Sequence, residues 1–193
     1  MPLLRARAAI SGLPITRAPR YSGVMLGSSS EVRVRKAKPA DAKALAAVFR
    51  ESWLAAYRGI IPHVQLETTV LRRGTDWWVS AIRSGDAVLV MEVAGTIAGY
   101  ATCGAARGRR QSQGEIYELY LSPPYQGLGL GAHLFEACRY TLDSRRFNGL
   151  IVWSLAENTP AIDFYWRRGG RPVARSIDRF GTAKLPKIAF AWS

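Results

Sequence analysis

The sequence predicts an α/β protein with a mixed sheet. Stretches with an apolar residue at every second position alternate with stretches of helical spacing along most of the chain. Leu150 to Leu155 is a nearly continuous apolar run, the pattern of a strand buried on both faces. A helical stretch lies between that run and the strand opening at Glu115. This order implies a parallel pair joined by a right-handed crossover.

Residues 1–30 stand apart. They hold Arg5, Arg7, Arg17 and Arg20 with no acidic residue, and so carry +4 of the formal +13. Pro14 and Pro19 interrupt the apolar residues, and Gly27-Ser28-Ser29-Ser30 closes the stretch. A transit-like leader is also Arg-rich and acid-poor, and Met25 offers a later start. A flexible basic extension over 1–30 is the expected state, followed by one folded domain over 31–193.

Val32 to Arg35 alternates as a first strand. Pro39-Ala40-Asp41 opens a helix over about 40–57, with Leu45, Val48, Phe49, Trp53 and Tyr57 on one face. Gly59 ends it, and Pro62 opens a short helical segment. Trp77, Trp78 and Ile82 mark another before Gly85. Ala87 to Val93 and Thr96 to Ala105 form a hairpin about Ala94-Gly95. A polar loop with Arg107, Arg109 and Arg110 leads to the Glu115 strand. There Tyr117, Leu119 and Leu121 give spacing of two, until Pro123 and Pro124 stop it. Ala132 to Arg145 reads as helix, Leu150 to Leu155 as strand, and Pro160 to Arg168 as helix. Pro172 to Ile177 and Lys187 to Trp192 read as closing strands.

The chain of 193 residues is long enough for one domain with a real core, and its 48% hydrophobic and 21% charged content is globular. No apolar run approaches the roughly 20 residues that span a bilayer, so no membrane partner is expected. Cys103 and Cys138 sit in different elements, which argues against a disulfide framework and fits a reducing, cytoplasmic setting. His63 and His133 lie far apart with no ligand cluster, so no metal is expected. The +13 charge favours anionic partners, but the basic residues are scattered and no nucleic-acid motif is present.

The chemistry concentrates between Glu115 and Phe135. Gly127, Gly129 and Gly131 open a helix, where free N–H groups meet the positive end of the helix dipole and suit a phosphate. A P-loop needs Gly-Lys-Ser/Thr, and here Ala132 and His133 follow Gly131. A dinucleotide fingerprint fits as letters, with Glu157 as the acidic residue. It should follow its strand directly, but Ser122 to Gln126 intervenes and no second half-domain has room behind it.

Gln126-Gly127-Leu128-Gly129-Leu130-Gly131 resembles the Gln/Arg-x-x-Gly-x-Gly/Ala acetyl-CoA signature of the GNAT N-acetyltransferase superfamily. Asn158 to Tyr165 resembles that family's Asn-x-x-Ala-x-x-Phe-Tyr motif, and Ser52 to Pro62 a stretch common in its members. Gly169-Gly170-Arg171 departs from the family's usual Gly-Phe. The resemblance implies a mixed central sheet of about six to seven strands, flanked by helices, with a splay between two central parallel strands. It implies acetyl transfer from acetyl-CoA to a primary amine by direct attack, the acceptor being a small molecule or a peptide. A homodimer is left open, as is a basic CoA- or nucleic-acid-binding module without turnover.

The resemblance also assigns roles. Gln126, Gly127, Leu128, Gly129, Leu130, Gly131 and Ala132 would cradle the pyrophosphate. Leu119, Tyr120 and Leu121 would pair with the pantetheine arm, which Asn158 would also meet unless it only caps its helix. Tyr165 would protonate the leaving thiolate. A carboxylate must accept the amine's proton, and Glu115 and Glu118 are the candidates. Three apart, they fall on opposite faces of an ideal strand, with Glu115 on the face of Leu119 and Leu121, unless a bulge intervenes. Trp53 and Tyr57 would line the acceptor cleft or belong to the core.

Overall fold

The computed structural model describes residues 31–108 and 113–192, so the basic extension and Arg109 and Arg110 lie outside the described residues. The elements are β1 (Val32–Lys36), α1 (Ala42–Tyr57), α2 (His63–Arg72), α3 (Thr75–Arg83), β2 (Ala87–Val93), β3 (Thr96–Ala105), β4 (Gly114–Leu121), α4 (Leu130–Ser144), β5 (Leu150–Leu155), α5 (Thr159–Arg167), β6 (Arg171–Phe180) and β7 (Ala183–Trp192). They build a seven-stranded mixed sheet in the order β1-β2-β3-β4-β5-β7-β6. Among the described residues no helix is long and apolar enough to cross a membrane.

The sheet is covered on both faces. On one side Leu130, Leu134, Phe135, Cys138 and Leu142 of α4 pack on Ala101, Cys103, Ile116 and Val152. On the other, Leu45, Val48 and Phe49 of α1, Leu66 and Val70 of α2, and Trp78 of α3 pack on Val88, Val90 and Tyr100. The alternation of strands thus feeds two cores, with successive side chains sent to opposite helical layers.

Among the described strands only β4 and β5 run parallel, and their pairing is confined to Gly114–Ile116 with Leu150–Val152. Beyond Ile116, β4 stays with β3 while β5 stays with β7. The two strands therefore splay from Tyr117 onward, as expected. Gly99 opposite Leu121 permits the close β3–β4 approach, since a Cβ there would lie 2.3 Å from Leu121 Cδ2.

Several expectations are corrected. α1 begins at Ala42, after a 3-10 turn over Pro39–Asp41. Asp41 accepts the Lys38 N–H at 2.7 Å and pairs with Arg35 of β1 at 2.7 Å, tying strand to helix rather than capping α1. α4 begins at Leu130 rather than Ala132, because Gly129 in the left-handed region at φ 78° already turns the chain. β6 and β7 form one long hairpin about Gly181, reaching Phe180 and Ala183. β6 is an edge strand whose residues are mostly exposed, so its polar sequence hid its length. Gly170, where the family pattern has a large ring, leaves room for Trp192; a Cβ there would sit 2.6 Å from the indole.

The largest correction concerns β4. Thr102 pairs with Glu118 and Cys103 with Ile116, so Tyr117 is an extra residue, a β-bulge. Ile116, Leu119 and Leu121 belong to the α4 side, whereas Glu115, Tyr117 and Glu118 line a cavity on the opposite side. Neither Glu115 nor Tyr117 shares a face with Leu119 and Leu121, and the two carboxylates face the same space.

Candidate functional site

Two cavities open at the splay. The first, about 730 Å³, is lined by Leu119, Tyr120 and Leu121, by Gln126, Gly127, Gly129, Gly131 and Ala132, and by Asn158, Phe164 and Tyr165. The strand edge, the glycine turn and the Asn158–Tyr165 motif thus surround one volume. Leu128 is 57% exposed and Leu130 is buried in the core; neither side chain lines the cavity, which leaves only their backbone to serve a ligand.

Gly127 and Gly129 have φ of 75° and 78°, and a Cβ at either would meet nothing within 4 Å. Among the described residues the N–H groups of residues 127–131 have no backbone partner, and no side chain caps α4. Ala132 differs, because its N–H already donates to Gly129 O at 3.0 Å. Gln126 donates its amide to Leu121 O at 2.9 Å, bracing the loop against the strand end. A helix N-terminus with free N–H groups, reached without side-chain obstruction, can hold a phosphate-bearing ligand.

The second cavity, about 410 Å³, holds Trp53 and Tyr57 from α1, Glu115, Tyr117, Glu118 and Tyr120 from β4, Trp153 from β5, and Asp178, Phe180 and Lys187 from the β6–β7 hairpin. Tyr120 lines both cavities and marks where they meet. Its hydroxyl lies 2.6 Å from that of Tyr57. Asn158 does act as a cap, its Oδ1 accepting the Ala161 N–H at 3.3 Å, and it also lines the first cavity.

The family model described as Acetyltransferase (GNAT) family matches residues 46–169. The chain belongs to the GNAT acetyltransferase family. The uncharacterized N-acetyltransferase YuaI of Bacillus subtilis (strain 168) is 29% identical over 162 residues, covering 83% of this chain and 92% of that protein. The PaiA N-acetyltransferase from Thermoplasma acidophilum, solved in complex with coenzyme A, shares the fold. Its TM-score is 0.67 at 19% identity, over 81% of this chain and 98% of that one. YncA of Salmonella typhimurium, a putative acetyltransferase solved with acetyl-CoA, gives a TM-score of 0.62 at 22% identity, over 83% and 92% of the two chains.

In this GNAT domain the two carboxylates of the second cavity differ. Glu115 is buried, and its Oε2 accepts the Arg107 N–H at 2.8 Å. Burial pushes its pKa above the ordinary carboxylate value, against the opposing pull of that N–H and of the charges of Arg107 and Lys187. Glu118 is committed elsewhere: it forms an ion pair with Arg73 and accepts the Tyr100 hydroxyl at 3.3 Å. Arg73 lies over the rings of Phe49, Trp53 and Trp77, at 4.8, 5.7 and 4.6 Å from their centroids. Sequence reasoning missed Arg73, because an arginine at the end of a short helix carries no periodic signal.

Tyr165 is 6% exposed and packs among Phe135, Phe190 and Trp192. Burial holds its phenol well above the ordinary tyrosine pKa, so the hydroxyl keeps its proton. Trp53 and Tyr57 pack with the α1-side core and also line the second cavity. Trp153 of β5 and Phe180 and Lys187 of the β6–β7 hairpin also enter the lining, Phe180 from the part of the hairpin that the sequence understated.

Proposed function

We propose that this protein transfers an acetyl group from acetyl-CoA to a primary amine, by direct attack within a ternary complex. The observation that carries the reading is the meeting of the two cavities at Tyr120. One presents a helix N-terminus and an unpaired strand edge; the other presents a buried carboxylate of raised pKa. Coenzyme A or acetyl-CoA in the two solved neighbours supports the cofactor assignment.

The residues divide the work. The N–H groups of residues 127–131 fit a pyrophosphate, since each is unpartnered and the glycines leave their side open. The backbone edge of Leu119 to Leu121 holds the arm and orients a carbonyl oxygen; an N–H donor so placed contributes about 3–4 kcal/mol to transition-state stabilisation. The thioester supplies the acyl group. The amine enters from the second cavity, and a new C–N bond forms as the C–S bond breaks. Glu115, directly or through one water, takes the amine proton. Tyr165 gives its proton to the departing sulfur. Glu118, held by Arg73, shapes the cavity wall and is not the base.

Thermal-shift measurements with acetyl-CoA, NAD and duplex DNA, each at low and high salt, test the reading. Saturating acetyl-CoA at a hundredfold its Kd adds about 2.7 kcal/mol and raises Tm by several degrees. A salt-sensitive shift with DNA alone would overturn it in favour of an anion-binding module.

A further inference from the structure

We infer that Arg168, at the end of α5, clamps a phosphate of the cofactor against the glycine turn. This rests on the cofactor assignment above and adds a cation to a site so far built from backbone N–H groups.

The first cavity is a place for negative charge. Among the described residues no acidic side chain lines it, whereas Arg167 and Arg168 do. The two arginines differ. Arg167 is exposed, and its Nε donates to Asp163 O at 3.3 Å. Arg168 is half-buried, and its Nε is buried without a hydrogen-bond partner. Among the described residues no carboxylate lies within ion-pairing distance of it.

Packing holds Arg168 in place. Its N–H donates to Tyr165 O at 3.2 Å, and its carbonyl accepts the Trp192 indole N–H at 2.8 Å. Its guanidinium lies over the rings of Phe164 and Phe135, 4.7 and 5.8 Å from their centroids. A guanidinium stacked on a ring keeps its edge donors for an anion, and phosphate accepts two of them in parallel. A side chain already ordered in this way loses little freedom on binding.

The same rings tie Arg168 to the glycine turn. Phe135 belongs to α4, and a Cβ on Gly131 would lie 3.3 Å from Phe164 Cε2. Arg168 therefore stands beside the first two turns of α4, near the positive end of its dipole. A cation is disfavoured there and an anion is favoured. The unpaired N–H groups of residues 127–131 and the guanidinium border one cavity, so an anion between them pairs with both and relieves their repulsion. The cofactor offers two such anions, its pyrophosphate and its ribose phosphate.

The test is calorimetry of the full chain with CoA and with dephospho-CoA, which lacks the ribose phosphate, at low and high salt. It compares the wild type with Arg168→Met, which keeps an apolar stem on the rings, and with Arg168→Lys. Arg168→Met should weaken CoA binding about tenfold at low salt and less at high salt, and Arg168→Lys should recover part of the loss. If the ribose phosphate is held, the wild type prefers CoA to dephospho-CoA by about tenfold and Arg168→Met loses that preference. If the pyrophosphate is held, Arg168→Met weakens both ligands by the same factor. The ligand-free Arg168→Met protein should melt at or above the wild-type Tm, because the cation beside the helix start is gone. The inference falls if Arg168→Met binds CoA within about threefold of the wild type. It also falls if the loss is equal at both salts and in Arg168→Lys, or comes with a lower ligand-free Tm, since Arg168 would then be only structural. In each of those cases wild-type binding of CoA keeps the cofactor assignment standing. Absence of wild-type binding removes both.

Discussion

Glu115→Gln separates the proposed proton-accepting role of Glu115 from its structural role. Glutamine keeps the carbonyl oxygen that accepts the Arg107 N–H at 2.8 Å, so the loop-to-strand contact survives. What is lost is the carboxylate proposed to take the amine proton. A positioned general base contributes roughly 10²–10⁴ in rate; with one water in the path the lower end applies, so kcat/KM should fall about 100-fold. The pH profile carries the sharper signal. With Glu115 as the proposed base, wild-type activity should rise as Glu115 ionises, and burial shifts that limb upward from the ordinary carboxylate value. The variant should lose the limb. Stability should move the other way. A carboxyl whose folded pKa is raised contributes stability below its unfolded pKa and loses it as pH rises through the folded value. The ionised form is therefore a cost at neutral pH, and the variant should be as stable as the wild type or more so. Steady-state kinetics from pH 5 to 9, with melts at matching pH, read both effects. A kcat/KM within threefold of wild type with the limb intact would refute the assignment; a lower Tm at neutral pH would show that Glu115 is chiefly structural.

Tyr165→Phe should lower kcat at least tenfold with little change in Tm, because its hydroxyl makes no hydrogen bond among the described residues; unchanged turnover across pH would remove Tyr165 as the acid. Gly99→Ala should destabilise by about 2 kcal/mol or more and disturb turnover, since the new Cβ meets Leu121 Cδ2 at 2.3 Å and Tyr120 O at 2.7 Å; a melt and an activity assay together check it. Arg73→Met leaves Glu118 unpaired at 10% side-chain exposure and should cost about 2–3 kcal/mol, much of it restored by adding Glu118→Gln. Denaturant melts of the four-member cycle measure that coupling, and additive effects would mean the pair is not energetically linked. Gly129→Ala meets no atom, yet it forces an L-residue to φ 78°; about 1 kcal/mol of stability and a weaker acetyl-CoA Kd are expected, by melt and calorimetry.

Much of the architecture was written locally. Leu45, Val48 and Phe49 announce a helix face, Leu150 to Leu155 a buried strand, and Gly127, Gly129 and Gly131 a tight turn at a helix start, because periodicity and glycine chemistry are properties of neighbouring residues. The Asn158–Tyr165 motif likewise put both on one short helix, Asn158 at its N-cap and Tyr165 in its last turn, and they do line one cavity with the glycine turn. Three things were not local. The bulge at Tyr117 arises from pairing with β3, and strand alternation alone sent Glu115 and Glu118 to opposite faces. The full β6–β7 hairpin, which delivers Phe180 and Lys187, lies at a sheet edge where polar residues are tolerated and apolar spacing fades. Arg73 reaches Glu118 from a helix 45 residues away in sequence, a contact that only the packing of α2 and α3 against α1 creates. By itself the sequence determined which elements form, their order and the glycine turn that opens α4, since each follows from short-range spacing. Tertiary structure decided that both carboxylates face one cavity and that Glu118 is the one paired with Arg73, because that depends on the register between β3 and β4 and on the packing that brings Arg73 to Glu118.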